Sequence, residues 1–211
     1  MFITLEGVEG SGKSSVIGPL QEWLQGLGLE VLVTLEPGGS RLGRMIRPIL
    51  LDARNDDLSA ESELFLYMAD RAQHVRQVLM PALASGKIVL CDRFSDSTIA
   101  YQGYGRGVDL SELRALNKIA QAGLLPDLTL LFDVDVEIGI ERARRRNCEQ
   151  GIEEAEGRFE AEQLEFHQRV RDGYLMLAEE NSWRFRVVDA MQAPGRVLEQ
   201  ARAYVLEALG A

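Results

Sequence analysis

Two hydrophobic rhythms take turns along this chain. Short apolar runs at Phe2–Glu6, Val31–Leu35, Lys87–Cys91, Asp127–Phe132 and Trp183–Val188 have the length of buried strands. Between them, apolar residues recur at steps of three and four. Val16, Leu20, Trp23, Leu24 and Leu27 form one face of a helix over 13–27, with Gly28 as its stop. Helices are likewise predicted over 40–51, from Ser59 towards Ala84, and over 111–122, 137–146, 160–180 and 194–209. Ser59 is a candidate N-cap, and Pro194 suits a first helical turn. Pro48 and Pro81 must bend or end the helices that contain them. The stretch 147–157 is acidic and weakly patterned, and reads as a mobile loop. This alternation predicts an α/β fold with a parallel sheet in one domain spanning 1–211. Polar and charged residues collect just after the strands, at the sheet's carboxyl edge, where open α/β sheets bind ligands.

Composition narrows the function classes. Hydrophobic residues make up 46% of the 211, enough to bury a sizeable core. The 33 acidic residues outnumber the 23 basic ones, for a net charge of −10. That balance argues against nonspecific nucleic-acid binding, which needs a basic surface. It leaves room for a mononucleotide, whose phosphates need only a few local cations. Cys91 lies in an apolar run and Cys148 follows an arginine cluster, so neither a disulfide nor a structural zinc site is expected. A reducing cytoplasm fits this usage. No basic leader and no membrane-length apolar run is found. His74 and His167 carry no motif. His74 is expected at a helix surface or packed, and neither histidine is given a catalytic role.

The sharpest local signal is Gly7-Val8-Glu9-Gly10-Ser11-Gly12-Lys13-Ser14, which fits G-x-x-x-x-G-K-[ST] between a strand and a helix. Glycines let the backbone curl so that N–H groups point inward at phosphate oxygens, and the following helix adds its positive end. Lys13 should reach the β- and γ-phosphates of ATP, and the Ser14 hydroxyl should ligate Mg2+. This is a P-loop NTPase motif. Alone it means nucleotide binding, not a particular reaction.

Three further segments address the reaction: Glu36-Pro37-Gly38-Gly39-Ser40 after the second strand, Asp92-Arg93-Phe94 after the third, and Arg142, Arg144, Arg145 and Arg146 before the loop. With the phosphate loop, they resemble bacterial thymidylate kinases in order and approximate spacing. Ala69-Asp70-Arg71, Tyr101-Gln102-Gly103, Arg106-Gly107, Leu125-Pro126-Asp127-Leu128-Thr129 and Arg158-Phe159-Glu160 extend the resemblance over 2–209. The resemblance implies transfer of the γ-phosphate of ATP to the 5′-phosphate of dTMP, with Mg2+. It also implies a five-stranded parallel core flanked by helices, a small mobile lid at about 145–158, and a homodimer.

The same resemblance assigns roles, each beside a plainer alternative. Glu9 faces the acceptor and bonds the deoxyribose 3′-hydroxyl, rather than being a solvated loop tip. Asp92 lies near Mg2+ and Arg93 grips the acceptor phosphate, as a planar guanidinium can; the alternative is a strand-end cap paired with its neighbour. Asp133 is the second candidate for the metal. Arg47 is the other acceptor-phosphate arginine, or a surface residue like Arg41 and Arg44. Tyr67 and Arg71, four apart on one helix face, stack on thymine and donate to its O4; the alternative is a core aromatic with a snorkelling arginine. Glu36, Thr98, Tyr101 and Gln102 complete the acceptor pocket, with Tyr101 standing where a ribose 2′-hydroxyl would sit. No variable position of the phosphate loop is basic, and family members of that type use lid arginines. Arg146 is the first candidate to reach the transferring phosphoryl group, Arg144 the second, and Arg158 can contribute.

A phosphate monoester, with a second pKa near about 6, arrives largely deprotonated, so this chemistry needs cations and alignment rather than a strong base. A deoxynucleoside kinase would benefit from a base in a Glu-Arg-Ser triplet, where this chain has Asp92-Arg93-Phe94. A regulatory GTP-binding switch would carry Asn-Lys-x-Asp, and no such segment is found.

Overall fold

The computed structural model describes residues 1–210. Five strands, β1 (Phe2–Glu6), β2 (Val31–Leu35), β3 (Ile88–Asp92), β4 (Leu128–Asp133) and β5 (Phe185–Asp189), form one parallel sheet in the order β2-β3-β1-β4-β5. Parallel strands need crossovers, and helices supply them. α1 (Lys13–Gly26) and α2 (Arg41–Leu51) are followed by α3 (Ala60–His74), α4 (Met80–Ala84), α5 (Ser95–Thr98) and α6 (Leu110–Ala120). α7 (Val136–Gln150), α8 (Glu153–Glu156), α9 (Leu164–Glu180) and α10 (Pro194–Leu209) complete the chain. Along β3, Ile88 and Leu90 join one hydrophobic cluster while Val89 and Cys91 join another. Both faces of the sheet are therefore covered, as expected of a parallel sheet. Leu5 and Leu35 both pair with Asp92 in register, which sets the ends of β1, β2 and β3 side by side.

The structure corrects the expected elements in three places. The helix expected from Ser59 to Ala84 is broken: the turn Val75–Leu79 is π-helical, and the Met80 N–H bonds back to Val75 O. Pro81 lacks the N–H that would continue the regular ladder. A second π-helical turn, Ile99–Gly105, extends α5 through a stretch for which no element was predicted. The segment 147–157 is not a patternless loop. α7 runs on to Gln150 and stops at Gly151 in the left-handed conformation, and Glu153–Glu156 forms a short helix. This segment docks on the end of α2 through Ala53 N–H to Glu154 O at 2.7 Å and Arg158 N–H to Leu51 O at 3.1 Å.

Candidate active site

The loop after β1 has the backbone a phosphate cradle requires. Gly7 and Gly10 take φ of 141° and 64°, and a Cβ on either would collide with the carbonyl of Phe132 or Gly139. Gly12 stands at the start of α1, and no side chain caps the helix, which leaves its first-turn N–H groups aimed at a ligand. Lys13 folds back over the loop, its Nζ donating to Gly7 O at 2.9 Å, Val8 O at 3.0 Å and Ser11 Oγ at 3.0 Å. Three acceptors saturate an ammonium. Burial, helped by the nearby Arg93 charge, brings the Lys13 pKa down to about 8 against the pull of Asp92, Glu9 and Glu6. Ser14 is exposed at the next position.

Beside the loop stands a carboxylate box. Glu9 Oε1 accepts from Arg93 Nη2 at 3.0 Å and Tyr101 Oη at 2.6 Å. Its Oε2 lies 3.4 Å from His167 Nδ1. Burial opposes the charge on Glu9, but His167, Arg93 and Tyr101 outweigh it and hold its pKa at about 2. Arg93 also donates to Gly7 O at 2.9 Å and lies over the Tyr101 ring, 5.0 Å from its centroid. The φ of Arg93 is 68°, a region that costs a side chain on the order of 1–3 kcal/mol. The sheet end holds it there through Arg93 N–H to Leu5 O at 3.0 Å. Beneath lies Glu6, which accepts from Phe94 N–H, Ser97 Oγ and Tyr174 Oη; burial and the Asp96 charge raise its pKa.

Further along, a polar network is sealed inside the protein. Arg71, 1% exposed, donates to Glu36 Oε2 at 2.8 Å, Thr98 Oγ1 at 2.8 Å, Asn117 Oδ1 at 2.6 Å and Phe94 O at 3.0 Å. Glu36 Oε1 in turn meets His74 Nδ1 at 2.8 Å, and His74 Nε2 meets Thr34 Oγ1 at 2.7 Å. His74 is therefore a packed, bonded residue and not a surface one. Glu36, expected in contact with the acceptor, lines the cleft and also fixes the Arg71 guanidinium. Tyr67 is half-buried on the turn before Arg71, and burial, with the Glu63 charge, holds its hydroxyl protonated.

The loop, the box and the network open onto one cleft of about 800 Å³. Gly10, Ser11, Gly12, Lys13 and Ser14 line it, as do Glu9, Glu36, Arg47, Tyr67, Arg71, Asp92, Arg93, Thr98, Tyr101, Gln102 and Arg146. Gly7 and Val8 shape the loop from behind and offer Lys13 their carbonyls.

The chain matches the thymidylate kinase family over residues 5–201. The thymidylate kinase of Oleidesulfovibrio alaskensis is 58% identical over 207 residues, 98% of each chain. This chain belongs to the thymidylate kinase family. The thymidylate kinase of Nitratidesulfovibrio vulgaris strain DP4 is 57% identical, over all of this chain and 94% of that one. Among solved structures, thymidylate kinase from Ehrlichia chaffeensis superposes with a TM-score of 0.78 at 34% identity, covering 97% of this chain and 98% of the other. As a thymidylate kinase, the protein phosphorylates dTMP to dTDP with ATP as donor. The P-loop α/β fold agrees with this, and the readings as deoxynucleoside kinase or regulatory switch fall away.

Within this thymidylate kinase, the arginines sort themselves by geometry. Arg142, Arg145 and Arg146 reach the cleft from α7. Arg146 is 44% exposed at its side chain and rests on Asn147 Oδ1 at 2.8 Å. Arg144 turns away and donates to Glu160 O at 2.6 Å. Arg158 is buried on Leu50 O and Glu63, which ties the end of the 147–157 segment to α2 and α3. Arg47 makes a two-pronged pair with Glu156, both contacts at 3.0 Å, and donates to Pro37 O at 2.9 Å. Both oxygens of Asp133, the second candidate for the metal, accept from Arg171, at 2.7 and 2.9 Å. Asp92 Oδ1 is buried with no partner among the described residues. A buried carboxylate oxygen and the hydroxyl of Ser14, which lines the same cleft, are hard donors that suit Mg2+.

Sequence reasoning missed Glu63, Asn117, His167 and Tyr174. They come from three helices, Glu63 from α3, Asn117 from α6, and His167 and Tyr174 from α9, and meet the site only through tertiary contact. Tyr174 had one legible signal, its place in the stripe Phe166, Val170, Tyr174 and Leu177 along α9.

Proposed function

We propose that phosphoryl transfer to dTMP occurs at this cleft, with ATP on the Gly7–Ser14 loop and the acceptor between Arg93, Tyr67 and Arg71. The carrying observation is the juxtaposition of a phosphate cradle with a box of Glu9, Arg93 and Tyr101 at one rim of the sheet. Lys13 exchanges its loop acceptors for the β- and γ-phosphates of ATP. Arg93 binds the acceptor phosphate, and Glu9, charged at neutral pH, accepts from the sugar 3′-hydroxyl. Tyr101 fills the space of a ribose 2′-hydroxyl, which would be buried there without a partner. Tyr67 stacks on the base, and Arg71 donates to its O4.

Ser14 and Asp92 are the residues that would hold Mg2+. When bound, the ion neutralises charge on the transferring group. Arg146 swings from Asn147 onto the phosphoryl group as the lid closes. Closure also shields the reaction from water. The lid comprises the end of α7 and α8, about 145–158.

The functional unit is a homodimer in the cytoplasm. Leu42, Met45 and Ile49 are exposed at helical spacing on α2, with Phe65 beside them on α3, and a second copy would cover this apolar face. The two cysteines are free, which suits a reducing compartment. Among the described residues, no helix is long and apolar enough to cross a membrane.

A coupled ADP-release assay tests the reading. dTMP should be turned over and thymidine should not; turnover of thymidine alone would overturn it.

A further inference from the structure

At the base end of the cleft, Gln102 is 1% exposed, and its Nε2 donates to Glu63 Oε1 at 2.7 Å. Glu63 is as deeply buried on α3 and gathers four donor groups from three residues. Oε1 also takes Arg106 Nε at 3.4 Å, and Oε2 takes Arg106 Nη2 at 3.3 Å and Arg158 Nη2. A carboxylate between two guanidinium groups accepts and does not donate. It can face only the NH2 end of the Gln102 amide. The reverse orientation would set two buried oxygens against each other, at a cost comparable to an unmade buried hydrogen bond. The carbonyl end of Gln102, which takes no donor from the protein, is thereby turned from Glu63 towards the cleft that this residue lines.

The neighbouring wall is donor in character. A guanidinium has five N–H groups. Those of Arg71 engaged by the protein are Nε–H, both on Nη1 and one on Nη2, which leaves one. Arg71 and Gln102 are joined through Thr98, one turn before Gln102 on α5 and acceptor for Arg71. A donor beside an acceptor complements the carbonyl and N3–H of a thymine or uracil ring. Cytosine presents the opposite pair, an amino group and an unprotonated ring nitrogen, and meets each group with its like.

We propose that Glu63 is a positioning residue for base selection: it locks the Gln102 amide so that an acceptor, and not a donor, faces the base. The inference rests on the acceptor site placed above at this cleft. Glu63 touches no substrate and acts through Gln102. Arg158, buried against Oε2, stays in place when Arg106 is removed.

The test compares kcat/KM for dTMP and dCMP in three variants of the full chain. Glu63→Gln offers Gln102 a donor as readily as an acceptor and frees the amide to turn over. Glu63→Asp keeps a charge for Arg106 and Arg158 while drawing it back from Gln102, so it remains informative if the glutamine variant fails to fold. Arg106→Ala disturbs the cluster without releasing the amide. The dTMP:dCMP ratio should fall about tenfold or more in both Glu63 variants, chiefly through a raised KM for dTMP, and stay within about twofold in Arg106→Ala. A ratio unchanged in the Glu63 variants, with both substrates losing activity in parallel, would overturn the proposal. So would an equal fall in Arg106→Ala. If the wild-type chain fails to phosphorylate dTMP, the reading of the acceptor site fails; if only the ratios hold constant, the role of Glu63 alone fails.

Discussion

The two ends of the cleft are built differently. At the base end, Arg71, Glu36, His74 and Thr98 are buried and bonded to one another, and Gln102 is buried and bonded to Glu63, before any ligand arrives. At the phosphate end, Lys13 rests on its own loop, Arg146 lies half in solvent on a neighbouring asparagine, and Asp92 has an unpartnered oxygen. The difference follows from what each end must do. A base is recognised by fixed donors and acceptors, and preorganisation there lowers the cost of ordering on binding. Phosphates change charge and position during transfer, so their cations must be able to move. On the proposed reading, selection is rigid and transfer is mobile.

Breaking the phosphate end should cost catalysis most. Lys13→Ala should lower kcat by about 10³-fold or more, measured by coupled ADP release, with the melting temperature little changed. Breaking the base end should cost stability first. Arg71→Met leaves Glu36 buried without its guanidinium and should destabilise the fold by about 3–5 kcal/mol, read from urea unfolding. Arg146→Ala should lower kcat about tenfold or more while leaving the KM for dTMP nearly unchanged. Arg158→Ala should do the reverse, lowering stability with kcat largely retained, because that arginine is buried in an anchor. The smallest effect is a pH dependence. Lys13 in the free enzyme is charged below its pKa of about 8 and neutral above it. Its attraction for ATP is therefore full at neutral pH and weakens as pH rises, so kcat/KM for ATP should decline above about pH 8. A flat profile to pH 10 would show that the loop holds the lysine charged.

The phosphate end was the more legible in the sequence. Its chemistry is local: Gly7 to Ser14 are consecutive, and their backbone geometry follows from glycine spacing between a strand and a helix. The strands and most helices were legible for a similar reason, since periodicity is a local property. The base end was legible only through resemblance. Nothing in the spacing of Glu36, Arg71, Thr98 and Asn117 reveals that they meet, because β2, α3, α5 and α6 are brought together by the sheet order. The π-helical turn at Val75–Leu79 was missed because a single widened turn leaves apolar periodicity almost unchanged. Arg158 and Asp133 had the right residue types in plausible places. Each proved engaged by a partner far along the chain, Glu63 in one case and Arg171 in the other.

The most direct test of a rigid selecting end and a mobile transferring end is a crystal structure with dTMP and a non-hydrolysable ATP analogue bound together. The account predicts that Arg71, Glu36, Glu63 and Gln102 keep their present contacts, with shifts under about 1 Å, while Lys13 leaves Gly7 and Val8 and Arg146 leaves Asn147 for phosphate oxygens. A bound complex in which Lys13 and Arg146 stay where they are, and the Arg71 network rearranges to admit the base, would contradict it.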